Sequence, residues 1–117
     1  MPEGERRAGR SSARRLSARE IRAALRGRAL RSRRVIVYVS PVPGELRATA
    51  VAGRKVGGAV ARNRARRILR EAWRRLAPRV REGHHIVMVA LPAIAGASAD
   101  DVTVEIGELL AGAGMIA

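Results

Sequence analysis

Apolar and polar positions along the chain fall into six stretches of differing period. The first opens at Leu16-Ser17. Ser17 and Glu20 have capping-box spacing, and Leu16 and Ile21 have the spacing of a hydrophobic staple. Ile21, Ala24 and Leu25 make a short apolar stripe that stops at Gly27, which predicts a helix over about 18–26. Val35-Ile36-Val37-Tyr38-Val39 is a β-branched and aromatic run, hence a strand, closed by the turn Pro41-Val42-Pro43-Gly44. Leu46, Ala48, Ala50 and Ala52 then alternate with Arg47, Thr49 and Val51, the period of a half-buried strand. These two strands are expected to form an antiparallel hairpin. Ala61, Ala65, Ile68, Ala72 and Leu76 recur at helical spacing over about 59–77, Leu69 and Trp73 widen that face, and Pro78 ends the helix. Asn63, Arg66, Arg67, Arg70 and Arg74 cluster on the opposite side. Ile86 to Ala90 read as a strand buried on both faces, at about 85–91. Ser98 or Ala99 opens a last helix, with Asp100 and Asp101 in its first turn, Val102, Ile106, Leu109 and Leu110 inward, and Gly107 as a weak point. The order predicts an α+β fold: a small two-layer sandwich, with a mixed sheet of three to four strands and three helices. The strands flanking the arginine helix form the parallel pair. Residues 1–13 are expected to be a disordered basic tail, 14–112 a single α/β domain, and 113–117 a frayed end.

Composition sharpens this picture. The chain has 117 residues, 24 Lys plus Arg against 10 Asp plus Glu, and a net charge of +14. Lys55 is the single lysine, and there is no Cys, which removes disulfides, thiolate nucleophiles and cysteine metal sites. With no Phe, one Trp and one Tyr, the core must be aliphatic. No apolar stretch reaches the ~18 residues of a membrane span, and no apolar region follows the basic N-terminus, so a cytoplasmic protein is expected. Residues 1–34 carry twelve arginines against three glutamates, and residues 54–81 carry eleven basic residues against Glu71 alone. Residues 84–117 hold four acids and no Lys or Arg. Two basic blocks and an acidic back imply a polyanionic partner, most simply nucleic acid. A membrane surface fits less well, because the basic helix lacks a bulky apolar face for it.

Enzyme chemistry finds little support in the polypeptide. His84 and His85 are adjacent on a strand, point to opposite faces and cannot share a metal. Asp101 and Glu105 are one helical turn apart, which reads as a solvated face near a helix N-terminus rather than a cation site. Gly53 to Gly58 has the composition of a phosphate loop but not the G-x-x-x-x-G-K-[ST] pattern. The basic helix is different. Arg62, Asn63, Arg64, Arg66, Arg67 and Arg70 put guanidinium forks for phosphate, and an amide for a base edge or 2′-hydroxyl, within about two and a half turns.

Glu45-Leu46-Arg47, and then Gly53 through Arg62-Asn63-Arg64 to Trp73, resemble the signature of the bacterial ribonuclease P protein subunit, a likeness extending over about 14–110. The resemblance implies several things. The Arg-Asn-Arg helix (Arg62, Asn63, Arg64, Arg66, Arg67, Arg70) and the basic loop (Arg54, Lys55) would meet the catalytic RNA. Ile21, Leu25, Val35 and Tyr38 would line a cleft for the single-stranded 5′ leader of precursor tRNA. The strand–helix–strand crossover would be left-handed. Mg²⁺ would be held mainly by RNA and substrate, and the protein alone would not cleave. Ile21 and Leu25 stand where the family usually has two Phe, which removes a stacking surface worth ~1–3 kcal/mol per base. The expected role is the accessory subunit of a ribonucleoprotein endonuclease that removes the 5′ leader, with the RNase P RNA and precursor tRNA as partners, and neither membrane nor DNA. The rivals are a ribosomal-protein-like structural RNA binder, a major-groove DNA binder lacking any dimer element, and a stand-alone nuclease lacking carboxylates or histidines on its basic face.

Overall fold

The computed structural model describes residues 15–116, so the predicted tail over 1–13 lies outside the described residues. Three helices and one four-stranded sheet follow in the order α1 (Ala18–Ala24), β1 (Arg28–Arg31), β2 (Val35–Pro41), β3 (Leu46–Ala52), α2 (Ala59–Leu76), β4 (His84–Ala90) and α3 (Ala99–Gly112). The expected α+β sandwich is present. The strand order is β1-β2-β4-β3, with β1–β2 and β2–β4 antiparallel and β3–β4 parallel.

The predicted hairpin does not form. β4 lies between β2 and β3, pairing Tyr38 with Val87 on one side and Thr49 with Val87 on the other. Burial explains the choice. Ile86, Val87 and Met88 are at most 1% exposed, so β4 needs cover on both faces and both edges, whereas the small and polar β3 tolerates the margin. The loop after β2 is tied to the approach to β4 by Val42 N–H on the Gly83 carbonyl (2.8 Å) and His84 N–H on the Glu45 carbonyl (2.9 Å).

β1 has only one large apolar residue, Leu30, among four, and no period in the sequence announces it. Gly27 makes the entry from α1 to β1: a Cβ there would lie 2.3 Å from the Val39 carbonyl oxygen, a clash with backbone that cannot move aside. The β1–β2 connection is fastened to α3 by Glu105, whose carboxylate accepts from the Ser32 hydroxyl, the Arg34 N–H (2.8 Å) and the Arg34 guanidinium (3.2 Å).

Alternation along the strands divides the core. Val35, Val37, Val39, Ile86, Met88 and Ala52 face α2 and α3, joining Leu69, Leu76, Val102, Ile106 and Leu110 in the main cluster. α2 lies against β3 and β4, and α3 against β1 and β2. Trp73 is 5% exposed and belongs to this core. On the other face α1 covers part of the sheet, burying Leu16 and Ala24 on Val87 with Ile21, Tyr38, Val51 and Val89 around them. The end of the chain does not fray from Gly112: Met115 is buried, Arg81 N–H donates to its carbonyl (2.8 Å), and Ile116 bridges Val80. Hydrophobic closure onto Val80 holds what glycine-rich composition alone would release.

Candidate nucleic-acid interface

α2 begins after Gly57-Gly58 and runs for 18 residues, with Gly58 as an N-cap that has no side-chain hydrogen bond. Its first backbone N–H groups are therefore not closed by a cap, and they lie at the positive end of the helix dipole. The helix buries Ala65, Ile68, Leu69, Ala72, Trp73 and Leu76, which turns the predicted basic residues outward. Asn63, Arg67, Arg70 and Arg74 are exposed, and Arg62, Arg64 and Arg66 are half-buried. Arg54 and Lys55 are exposed on a 3₁₀ turn immediately before the helix.

The two flanks of α2 differ. On the flank towards α3, Arg75 is neutralised by Asp100 (2.6 Å) and Glu71 (2.9 Å), and Arg64 donates to the Ala97 carbonyl (2.8 Å). On the outer face and the far flank, Arg62, Arg67, Arg70 and Arg74 make no ion pair among the described residues, and Arg66 bonds only the neutral Asn63 side chain. The face singled out from the sequence thus carries charge that no acid among the described residues offsets, except that Arg64 is partly committed to the fold.

The second predicted set is only partly assembled. Ile21 and Tyr38 meet on the α1 face of the sheet, and Leu25 ends α1 with 42% exposure. Val35 is not with them. It is fully buried against the α2–α3 layer, so its assignment to a leader cleft is corrected. Strand alternation gives the reason: Val35, Val37 and Val39 share one face, and Ile36 and Tyr38 share the other. Positions three apart on one strand face opposite ways, so Val35 and Tyr38 cannot line the same side of a cleft.

Beside this cleft sits a polar network that the sequence did not disclose. The Arg47 guanidinium donates to both oxygens of Glu20 (2.9 and 3.2 Å), to Glu45 (3.4 Å) and to the Arg15 carbonyl (2.7 Å), pinning the start of α1 to β3. His85, 6% exposed, bonds Glu45 through Nε2 at 2.9 Å, while His84 occupies the opposite face. Among the described residues, Glu20, Glu45 and His85 bring metal-type donor atoms within 4.8 Å of one another. The Arg47 cation already fills that space, so the group is an ion-pair network. Ser17 N–H on the Glu20 carboxylate, with Arg47 beside it, holds the Glu20 carboxyl at about 2, below the ordinary 4.5. The His85 ring, with Arg47 behind it, likewise lowers the Glu45 carboxyl. A lowered folded-state pKa stabilises the native state above the unfolded value and is lost as pH falls through the folded one. Native-state stability is therefore expected to decline between about pH 4.5 and 2, and Glu20→Gln should flatten that part of a stability-against-pH curve measured by denaturant titration. An equal slope in the variant would remove Glu20 from the account.

A two-layer α+β domain with an outward-facing arginine helix on one side and a partly covered sheet face on the other is the class that these features define. The family model described as Ribonuclease P matches residues 10–114, and the chain belongs to that family. It is 40% identical over 92 residues to the ribonuclease P protein component of Symbiobacterium thermophilum, covering 77% of this chain and 80% of the relative. It is 42% identical over 89 residues to that of Acidothermus cellulolyticus, covering 73% of each. The fold is similar to the RNase P protein of Thermotoga maritima (TM-score 0.72, 24% identity, 83% of this chain and 94% of that one) and of Staphylococcus aureus (TM-score 0.72, 19% identity, 89% and 96%). No helix among the described residues is long and apolar enough to cross a membrane.

Proposed function

We propose that this chain is the protein subunit of a cytoplasmic ribonucleoprotein endonuclease that removes the 5′ leader from precursor tRNA, with α2 docked on the catalytic RNA and the α1 face of the sheet against the single-stranded leader. The observation that carries the reading is the set of arginines on α2 (Arg62, Arg67, Arg70 and Arg74) left without acidic partners among the described residues, within the stretch that the family model matches. Catalytic RNA, leader and tRNA repel one another, and a fixed cationic surface lowers the salt and Mg²⁺ needed to bring them together. The metal belongs to RNA and substrate. The protein's part is to bind and position.

The test is reconstitution. Purified protein with bacterial RNase P RNA is expected to cleave precursor tRNA at lower Mg²⁺ than the RNA alone, and protein without RNA is expected to cleave nothing. RNA binding with no effect on cleavage would favour a purely structural RNA binder. In the same assay Tyr38→Ala is expected to weaken binding of precursor with a leader several nucleotides long by up to ~1–3 kcal/mol, the value of a base stack, and to spare mature tRNA. Equal loss for both substrates would reduce Tyr38 to packing beside Ile21.

A further inference from the structure

We propose that a recess beside the first turns of α2 receives one unpaired nucleobase of the docked RNA, stacked on the Arg64 guanidinium. This rests on the reading that α2 binds RNA. The recess, about 290 Å³, is lined by Val56, Ala61, Ala65, Ile94, Ala95 and Gly96 besides Arg64. Arg64 is its one charged residue. That volume sits at the lower bound of small-molecule sites, ~300–1,000 Å³, and suits a single heterocycle.

Three observations select a base over a phosphate. The walls are otherwise apolar, so an anion would exchange its hydration for Arg64 alone, a guanidinium that already donates to the Ala97 carbonyl. The Arg64 guanidinium is anchored at one nitrogen by the Ala97 carbonyl at 2.8 Å, which restrains it beside the recess instead of leaving it to follow a backbone phosphate. Val60, one turn before Arg64 on the same helix, is an apolar side chain 85% exposed within a basic helix, a contact that a base can use and a phosphate cannot. The surroundings select RNA as the source. Arg54 and Lys55 directly precede Val56, and Arg67 is exposed one turn beyond, so a polyanion is drawn to the rim. Sequence-specific RNA recognition takes splayed-out bases of this kind, which stack on arginine planes as well as on aromatic rings.

The experiment uses full-length protein and bacterial RNase P RNA, with affinity measured across a salt series and base accessibility by chemical probing. Ala61→Leu fills the recess without touching a charge. It is expected to lose about tenfold in affinity, the scale of one base stack, with the salt slope unchanged, and to expose one nucleotide base that the native protein protects. Arg64→Lys keeps the charge but removes the plane, and is expected to expose the same base. An abasic substitution at that nucleotide should weaken the native protein and leave Ala61→Leu unaffected. Native affinity in a folded Ala61→Leu variant, or native protection with Arg64→Lys should the first variant not fold, overturns the proposal. A reduced salt slope in Ala61→Leu overturns it too, since the loss would then be of phosphate contacts. If the native protein bound no RNase P RNA at all, the functional reading beneath it would fail instead.

Discussion

Replacing Arg62, Arg66 and Arg70 together with alanine is expected to cost roughly a hundredfold in affinity for RNase P RNA at 0.1 M salt, and to reduce the slope of log affinity against log salt by about two to three units. Each phosphate contact releases about 0.7–0.9 of a counterion, so three lost contacts shift the slope by that sum and weaken binding in proportion. Arg62 and Arg70 make no ion pair among the described residues, and Arg66 bonds only Asn63. Removing them therefore leaves no buried acid unpaired, and the thermal midpoint should stay near that of the native protein. Arg75 is the control. It is tied to Asp100 and Glu71, which hold its pKa above the ordinary value, and its loss should change RNA affinity little. Unchanged affinity and slope in a folded triple variant would take the α2 face out of the interface.

Leu69→Ala is expected to destabilise the fold by about 2–5 kcal/mol, through lost apolar burial and the cavity left behind. Leu69 is fully buried between α2 and the sheet. Most of the cluster around Leu69 is Ala, Val, Ile and Leu held on strands and helices, which can close only part of the gap. Val60→Ala on the same helix should be nearly neutral, because Val60 is 85% exposed. Denaturant midpoints for the two variants decide the matter: a cost below about 1 kcal/mol at Leu69 would mean that the α2 packing described here is wrong.

The elements with strong internal period were legible in the sequence. α2 was marked by apolar spacing, Gly-Gly before it and Pro78 after it, and β4 by a run of residues that only a buried strand uses. The Ser17–Glu20 capping box was visible because it is local. Long-range facts were not. Strand order depends on which strand needs both neighbours, so the turn at Pro41–Gly44 suggested a hairpin that β4 interrupts. β1 carries two arginines and one large apolar residue, and pairing with β2 alone makes it a strand. Arg47 meets Glu20 and Glu45 through the fold, while its sequence context is only an alternating strand. The basic half of the candidate interface was readable because charge faces outward wherever a helix buries its other side. Of the predicted cleft, Ile21 and Tyr38 lie on one face of the sheet and Val35 on the other, as the odd spacing of Val35 and Tyr38 along one strand already requires.

The placement of β4 also bears on how the protein is made. β4 is the last strand to leave the ribosome and the centre of the sheet, with β2 on one side and β3 on the other. Until residues 84–90 emerge, β3 has no partner, β2 has only β1, and the inner faces of both lack their seal. Synthesis therefore passes through a stage in which the arginine helix is complete while the sheet it packs on is not. Non-local pairing of this kind delays folding and exposes strand edges.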